Sequence, residues 1–431
     1  MNKKIRVAMI CHFSNADVRE HLPLDNRRLY SLVRRILGMP DKGMGYGDLA
    51  AWDTYIIEQL RKRDDIELHV ISAHSGLKKS VCTFELEGIH YFFVRCDYAT
   101  LLKKIIPSPS LWHRLNPMRP VVRRLVNQID PDIVTLIGAE NAYISGTVLG
   151  IDHYPLFVKC QTIYNNPERA KHGIVDEKNA YVERKILESI QYVSADSKTY
   201  HVLFREMNKH AINFQWEFGN ILPDVKSVDK QYDFVNYAMK MSDKKGFYDA
   251  IKALAIVKSN YPQVRLNLVG GASPEEKQAL TDLVEQCGLS DNVAFTPFFE
   301  RQEDMFQHIQ LARFALLPCK MDFVSSTIRQ AMHYGLPVVC YKTEGTITLN
   351  QDKECVLIAE NGNVEDLAKK MLLLMDDSCK ADELQKNAKE YSKVWSEDDK
   401  ISQQMVDNFR AVIENYRNGT PVPEQLQFKE L

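Results

Sequence analysis

Residues 312–345, ARFALLPCKMDFVSSTIRQAMHYGLPVVCYKTEG, hold the side chains best placed for chemistry. Ser325, Ser326 and Thr327 can each cap a helix, because a hydroxyl accepts a hydrogen bond from an orphan backbone N–H. Arg313 to Pro318 is a short apolar run ending in proline, which predicts a buried parallel strand. A helix is expected through Ile328, Ala331 and Met332 as far as Gly335, with a new strand over Leu336–Tyr341. A capped helix N-terminus at the carboxyl end of a parallel strand offers free N–H donors and a positive dipole to an anion. In open α/β sheets that crevice is where ligands usually sit. A phosphate-bearing ligand is the natural expectation; the alternative is an ordinary strand–helix–strand unit with no ligand.

Asp322, seven intervening residues, Gln330 and then AMHYGLPVV resemble the donor-site signature of retaining glycosyltransferases of family 4. There two glutamates with seven residues between them precede a small-residue helix and a G-x-P-V-V strand. Gly335, Pro337, Val338, Val339 and the pair Ala331–Met332 match, whereas Asp stands for the first Glu and Gln for the second. Upstream, KMSDKKG resembles the same family's G-R-L-x-x-x-K-G element, with Lys240 in the arginine position and Lys245–Gly246 as the Lys–Gly pair. Lysine supplies a point charge where arginine supplies a fork. The resemblance implies a GT-B fold: two Rossmann-like, doubly wound parallel-sheet domains facing across a cleft. It implies retaining transfer of a sugar from a nucleotide-sugar to an acceptor hydroxyl, with no metal and no cofactor. Lys240, Lys245 and the N–H groups of Ser325, Ser326 and Thr327 would hold the diphosphate; Asp322 would position the donor sugar and Gln330 the ribose. Two other classes stay open, a sugar-nucleotide epimerase of the same fold and a non-catalytic nucleotide-sugar-binding scaffold.

The elements that must carry these residues follow a βα alternation along the whole chain, which predicts parallel sheets. Ile5–Cys11 is an apolar first strand, followed by a helix expected over 26–37. In DKGMGYGDL, Gly43, Gly45 and Gly47 alternate before Asp48, a suitable N-cap for a helix with Leu49, Trp52, Ile56 and Leu60 on one face. This resembles the glycine-rich loop of the family's N-terminal domain; the alternative is a surface loop. Strands are expected at 66–72, 89–95, 132–139, 156–163 and 192–195. Glu140 and Asn141 then fall at one strand's carboxyl end and Gln161 at another's, as acceptor or cleft residues. Family members often place a histidine where Gln161 stands; glutamine can bond a hydroxyl but cannot carry a proton. Asp130-Pro-Asp132 reads as a turn, not a metal site, and His172 as an ordinary surface or core residue. FGNILPD, 218–224, reads as a linker. The domains are expected as 1–220, binding the acceptor, and 221–397, binding the donor, with a helix over about 398–416 packing back on the first and 417–431 a loose tail.

Composition sets the wider bounds. The chain has 431 residues, 45% hydrophobic and 26% charged, enough for two or three domains. Nine cysteines without C-x-x-C spacing read as reduced thiols, and no apolar run approaches the ~18–20 residues needed to span a bilayer. A cytoplasmic protein is expected. Net charge is −2, too little basic excess for nucleic acid. Residues 99–128 carry Lys and Arg but no acid, beside Ile105, Ile106, Leu111 and Trp112. That interleaving suggests peripheral contact with an anionic membrane, at the inner face of the cell membrane; the alternative is a mobile excursion followed by a normal helix. The partners expected are a nucleotide-sugar donor and a saccharide or lipid-linked acceptor.

Overall fold

A computed structural model describes residues 4–24, 49–171, 176–195, 198–216, 219, 222–322, 326–393 and 398–428. The chain divides into two compact units, one of residues 1–221 with 397–431 and the other of residues 222–396. Among the described residues no helix is long and apolar enough to cross a membrane.

The first unit is built on an eight-stranded sheet of β1 (Ile5–Cys11), β2 (Ile66–His74), β3 (Val81–Leu86), β4 (Ile89–Arg95), β5 (Ile133–Ile137), β6 (Leu156–Cys160), β7 (Tyr192–Ala195) and β8 (Ile212–Phe214). Their order is β3-β4-β2-β1-β5-β6-β7-β8. Val7 to Cys11 and all of β5 are buried, as strands covered on both faces must be, so they read as unbroken apolar runs. One edge departs from the expected parallel sheet. β3 pairs antiparallel with β4 through a two-residue turn at Glu87 and Gly88, both at positive φ. That turn matches the twist of the strands it joins.

Three further expectations are corrected in this unit. The helix expected after residue 48 begins at Ala51 with Ala50 as its N-cap, and Leu49 instead pairs with Ser14, so Leu49 does not belong to it; Asp48 lies outside the described residues. Trp112 is fully buried, its indole N–H donating to the Ala99 carbonyl at 3.2 Å; Ile105 and Leu111 do stay exposed. The tail is docked as far as Phe428. The Gln215 N–H donates to the Leu426 carbonyl, the Phe428 N–H to the Asn213 carbonyl, and the Phe428 ring stacks on His201 at 3.8 Å. The exposed backbone edge of β8 supplies the partners that make this segment ordered.

Helix Asp398–Asn418 also belongs to the first unit. Ile401, Met405, Val406, Phe409, Val412 and Ile413 recur at helical spacing and join the core of β1, β2 and β5. At about 1.5–3 kcal/mol per buried side chain, that stripe contributes roughly 10 kcal/mol before entropy is counted. Asn408 donating to the Gln215 carbonyl and Tyr192 donating to Asn415 fix its rotation.

The second unit holds a six-stranded parallel sheet of β9 (Tyr232–Lys240), β10 (Leu266–Gly271), β11 (Val293–Thr296), β12 (Ala312–Leu317), β13 (Val338–Tyr341) and β14 (Leu357–Ala359). The order is β11-β10-β9-β12-β13-β14. Apolar cores line both faces, one including Phe247, Ile251 and Leu254 and the other Ile328, Ala331 and Met332.

Candidate functional site

In each sheet the strand order reverses once, and there the loops at the strands' carboxyl ends diverge to leave a crevice. In the second unit the reversal lies between β9 and β12. β9 ends at Lys240, which is exposed, and the chain then makes a short 3-10 turn, Asp243–Lys245. Gly246 follows at φ 77°, and a Cβ placed there would meet the Pro318 carbonyl oxygen at 2.0 Å. Only glycine lets the β9 loop close on the end of β12.

Lys320 fastens the same two loops. Its N–H donates to the Lys244 carbonyl at 3.0 Å, and its Nζ reaches Asp243 at 2.7 Å and Asp249 at 3.2 Å. Tyr341 donates to Asp249 from β13 at 3.0 Å. Burial pulls the Lys320 pKa down, but the two carboxylates outweigh it and leave it raised. Lys245 ends the turn after β9, directly before Gly246; burial raises the Cys319 thiol past the end of β12, and the Lys245 charge opposes that shift.

Helix Ser326–His333 starts on the other wall of this crevice, held by Tyr237 of β9 donating to the Thr327 carbonyl at 2.8 Å. Asp322 is half-buried, and its carbonyl accepts the Gly345 N–H at 3.1 Å. Gln330 is half-buried on the second turn of the helix. The structure therefore gathers Lys245, Gly246, Asp322, Thr327 and Gln330 at one sheet end. Lys240 caps β9, and none of the described residues ties its ammonium to the group around Lys245. Ser325, Gly45, Gly47 and His172 lie outside the described residues. Sequence reasoning passed over Lys320, Asp249 and Glu344, whose Oε2 is shielded and has no hydrogen-bond partner among the described residues. Glu344 directly follows the Thr343 cap at the end of β13, a signal that was readable.

In the first unit the reversal lies between β1 and β5. His12 leaves β1 there, both of its ring nitrogens within 3.1 Å of the Tyr143 hydroxyl. Burial, with the charge of His74 adding to it, lowers the His12 pKa to about 4. Glu140 and Asn141 follow β5. Burial, reinforced by Glu183, pushes the Glu140 carboxyl up to about 7. Its Oε1 accepts a long bond from Asn141 at 3.4 Å, and its shielded Oε2 has no partner among the described residues. Gln161, just past β6, carries a shielded Nε2 without a partner among the described residues. Asp53 comes from helix Ala51–Arg61 and Glu183 from helix Glu177–Ser189. Glu183 is spent on structure, accepting from the N–H groups of Tyr164 and Asn165, each at 2.9 Å. Asp130 ends a helix in the left-handed region, while Asp132 accepts from the Arg6 N–H and pairs with Arg417 at 2.8 Å. Those bonds are turn and anchoring contacts.

Residues 221–394 match the family model described as glycosyl transferases group 1. A protein of Haemophilus influenzae described as an uncharacterized glycosyltransferase is 28% identical over 155 residues, 36% of this chain and 41% of its own length. Three-dimensional likeness extends over nearly the whole chain. Sucrose-phosphate synthase from Thermosynechococcus elongatus superposes with a TM-score of 0.69 at 17% identity, covering 94% of this chain and 98% of the other. HepE from Anabaena, in complex with UDP and glucose, gives 0.61 at 16% identity over 94% and 99%. The trehalose-6-phosphate synthase OtsA gives 0.65 at 10% identity over 94% and 99%. Residues 221–394 thus resemble the glycosyl transferases group 1 family, in a chain whose two parallel-sheet α/β units have the GT-B fold.

Proposed function

We propose that this protein transfers a sugar, with retention of configuration, from a nucleotide-sugar bound in the β9/β12 crevice to an acceptor hydroxyl bound through the first unit. The observation that carries this reading is Lys245 and the N-terminus of helix Ser326–His333 at one crevice of the unit that matches the glycosyl transferases group 1 family. A diphosphate leaving group develops negative charge as the glycosidic C–O bond breaks. A fixed ammonium and free helix N–H groups stabilise that charge without reorganising. The acceptor oxygen forms its bond to the anomeric carbon on the face the phosphate leaves, and its proton passes to the departing phosphate oxygen. Configuration is kept. The ammonium and N–H groups do the work a divalent cation would otherwise do, so turnover is expected without metal.

Asp322 in this reading accepts from sugar hydroxyls and Gln330 from the ribose. Lys240, at the rim, adds charge for the incoming donor. Glu140, Asn141 and Gln161 bind the acceptor. A hexose donor and a role in polysaccharide or glycoconjugate synthesis are the expected setting, and HepE, solved in complex with UDP-glucose, is a structural neighbour in line with that donor class. Peripheral contact with anionic lipid would use exposed Ile105, Leu111 and Leu115 beside Arg114.

The test incubates the whole protein with a panel of nucleotide-sugars in EDTA and follows free nucleoside diphosphate. Release of diphosphate with one donor supports transfer. Saturable binding without release, or an isomerised sugar, would replace this reading with a scaffold or an epimerase.

A further inference from the structure

The turn that carries Lys245 also carries a carboxylate, Asp243, two positions before it. A second carboxylate, Asp249, follows in the first turn of helix Phe247–Lys258. An anion beside Lys245 therefore meets negative charge on either side of that ammonium in the chain. At an effective dielectric of about 20, one unit charge about 10 Å away alters a binding constant about tenfold. Left uncompensated, Asp243 and Asp249 would oppose the anion that Lys245 attracts.

Lys320, in the loop after β12, answers both. Its Nζ lies 2.7 Å from Asp243 and 3.2 Å from Asp249. Asp243 is exposed, whereas Asp249 is buried and also accepts from the Tyr341 hydroxyl at 3.0 Å. The Lys320 backbone is fixed separately: its N–H donates to the Lys244 carbonyl at 3.0 Å, and its carbonyl accepts from the Asn361 side chain at 2.8 Å. Those bonds, with the close approach of Gly246 to Pro318, already join the loops. The ammonium is not needed for that, so its two carboxylates call for another reason. Lys245, by contrast, has no ion pair among the described residues. One lysine is left for a ligand and the other is taken up by the acids beside it.

We infer that Lys320 is a charge-screening residue: its ammonium neutralises Asp243 and Asp249, so that a diphosphate beside Lys245 meets net positive charge. Lys320 is a positioning residue in this account, since it touches the two carboxylates and not the ligand. The inference rests on the proposed function and adds to it a residue outside the motifs that resemble the family. It also separates screening from latching. A latch fails when either end of the Lys320–Asp243 pair is removed, whereas a screen fails only when the lysine goes and improves when the aspartate goes.

The experiment titrates the whole protein with UDP, ADP and GDP by isothermal calorimetry in EDTA, and carries the tightest of them into Lys320→Met, Asp243→Asn and the double variant. Urea titration reports the folding of each. Lys320→Met should weaken the nucleoside diphosphate about tenfold or more. Asp243→Asn should bind it at least as tightly as wild type, and the double variant more tightly than Lys320→Met alone. Asp243 is exposed, so its substitution keeps the test open even where Lys320→Met does not fold. Weaker binding by Asp243→Asn, a double variant no better than Lys320→Met, or unchanged affinity in Lys320→Met overturns the inference. Lys320 is then a structural tie, and the proposed function stands. Failure of wild type to bind any of the three diphosphates overturns both.

Discussion

Replacing Gly246 with alanine tests whether the two loops of the β9/β12 crevice are held as tightly as the geometry requires. Gly246 sits at φ 77°, where an L side chain costs about 1–2 kcal/mol. The new Cβ would also lie 2.0 Å from the Pro318 carbonyl oxygen, over 1 Å inside contact distance. Backbone must move to relieve that overlap, and overpacking of this kind costs about 1–3 kcal/mol. The two effects together predict a loss of about 2–5 kcal/mol. Gly362 is the control, because it has the same φ of 77° but open space where its Cβ would go. Gly362→Ala should lose only the conformational part. Urea titration of both variants, read by fluorescence, measures the difference. Donor turnover should fall further in Gly246→Ala, since a 1 Å displacement of a positioned charge can cost about 10²-fold in rate. If the two variants are equally stable, Pro318 and the Gly246 loop are not in contact and the account of this crevice is wrong.

Three other expectations concern the first unit. Burial raises Glu140 from 4.5 to about 7, so the folded state favours the protonated acid and the wild type should lose stability as pH rises from about 4.5 to 7. Glu140→Gln lacks that dependence; it should match the wild type near pH 4.5 and exceed it by about 3 kcal/mol at pH 8, and a constant gap in urea titrations across this range would count against the shift. Trp112→Ala should cost about 3–5 kcal/mol in thermal or urea unfolding, because the indole is fully buried; a surface-like loss under 0.5 kcal/mol would return it to the exposed patch. Ile105→Ser with Leu111→Ser should reduce sedimentation with anionic vesicles while leaving that with neutral vesicles unchanged, and equal sedimentation of variant and wild type would remove this surface as a contact.

The sequence carries the sheet interiors because parallel strands buried on both faces read as apolar runs, as β1, β5 and β12 do. Gly246 and Gly335 were readable for the same kind of reason: a lysine–glycine pair before a helix and a glycine after one. β3 was not. Its turn is Glu-Gly in place of the usual Asn-Gly or Asp-Gly, and its alternation is that of a half-exposed edge. Trp112 was misplaced because periodicity over a short basic segment does not say which neighbours close over it. The docked tail depends on the free edge of β8, a partner about 210 residues earlier. Lys320 read as one loop lysine among several, and only the fold brings Asp243 and Asp249 around it. The acidic crevice of the first unit was legible as Glu140 and Gln161 at strand ends. Asp53 and Glu183 come from two helices, and only the fold shows what surrounds them.

The central claim is that Lys245 stabilises a departing diphosphate in the β9/β12 crevice. The most direct measurement is diphosphate release at saturating donor and acceptor, in EDTA, by wild type and Lys245→Ala, with folding of both confirmed by circular dichroism. A drop of about 10²–10³ in turnover is predicted, the scale for removing one preorganised charge-stabilising group. Equal turnover, or wild-type activity that EDTA abolishes and Mg²⁺ restores, would contradict it.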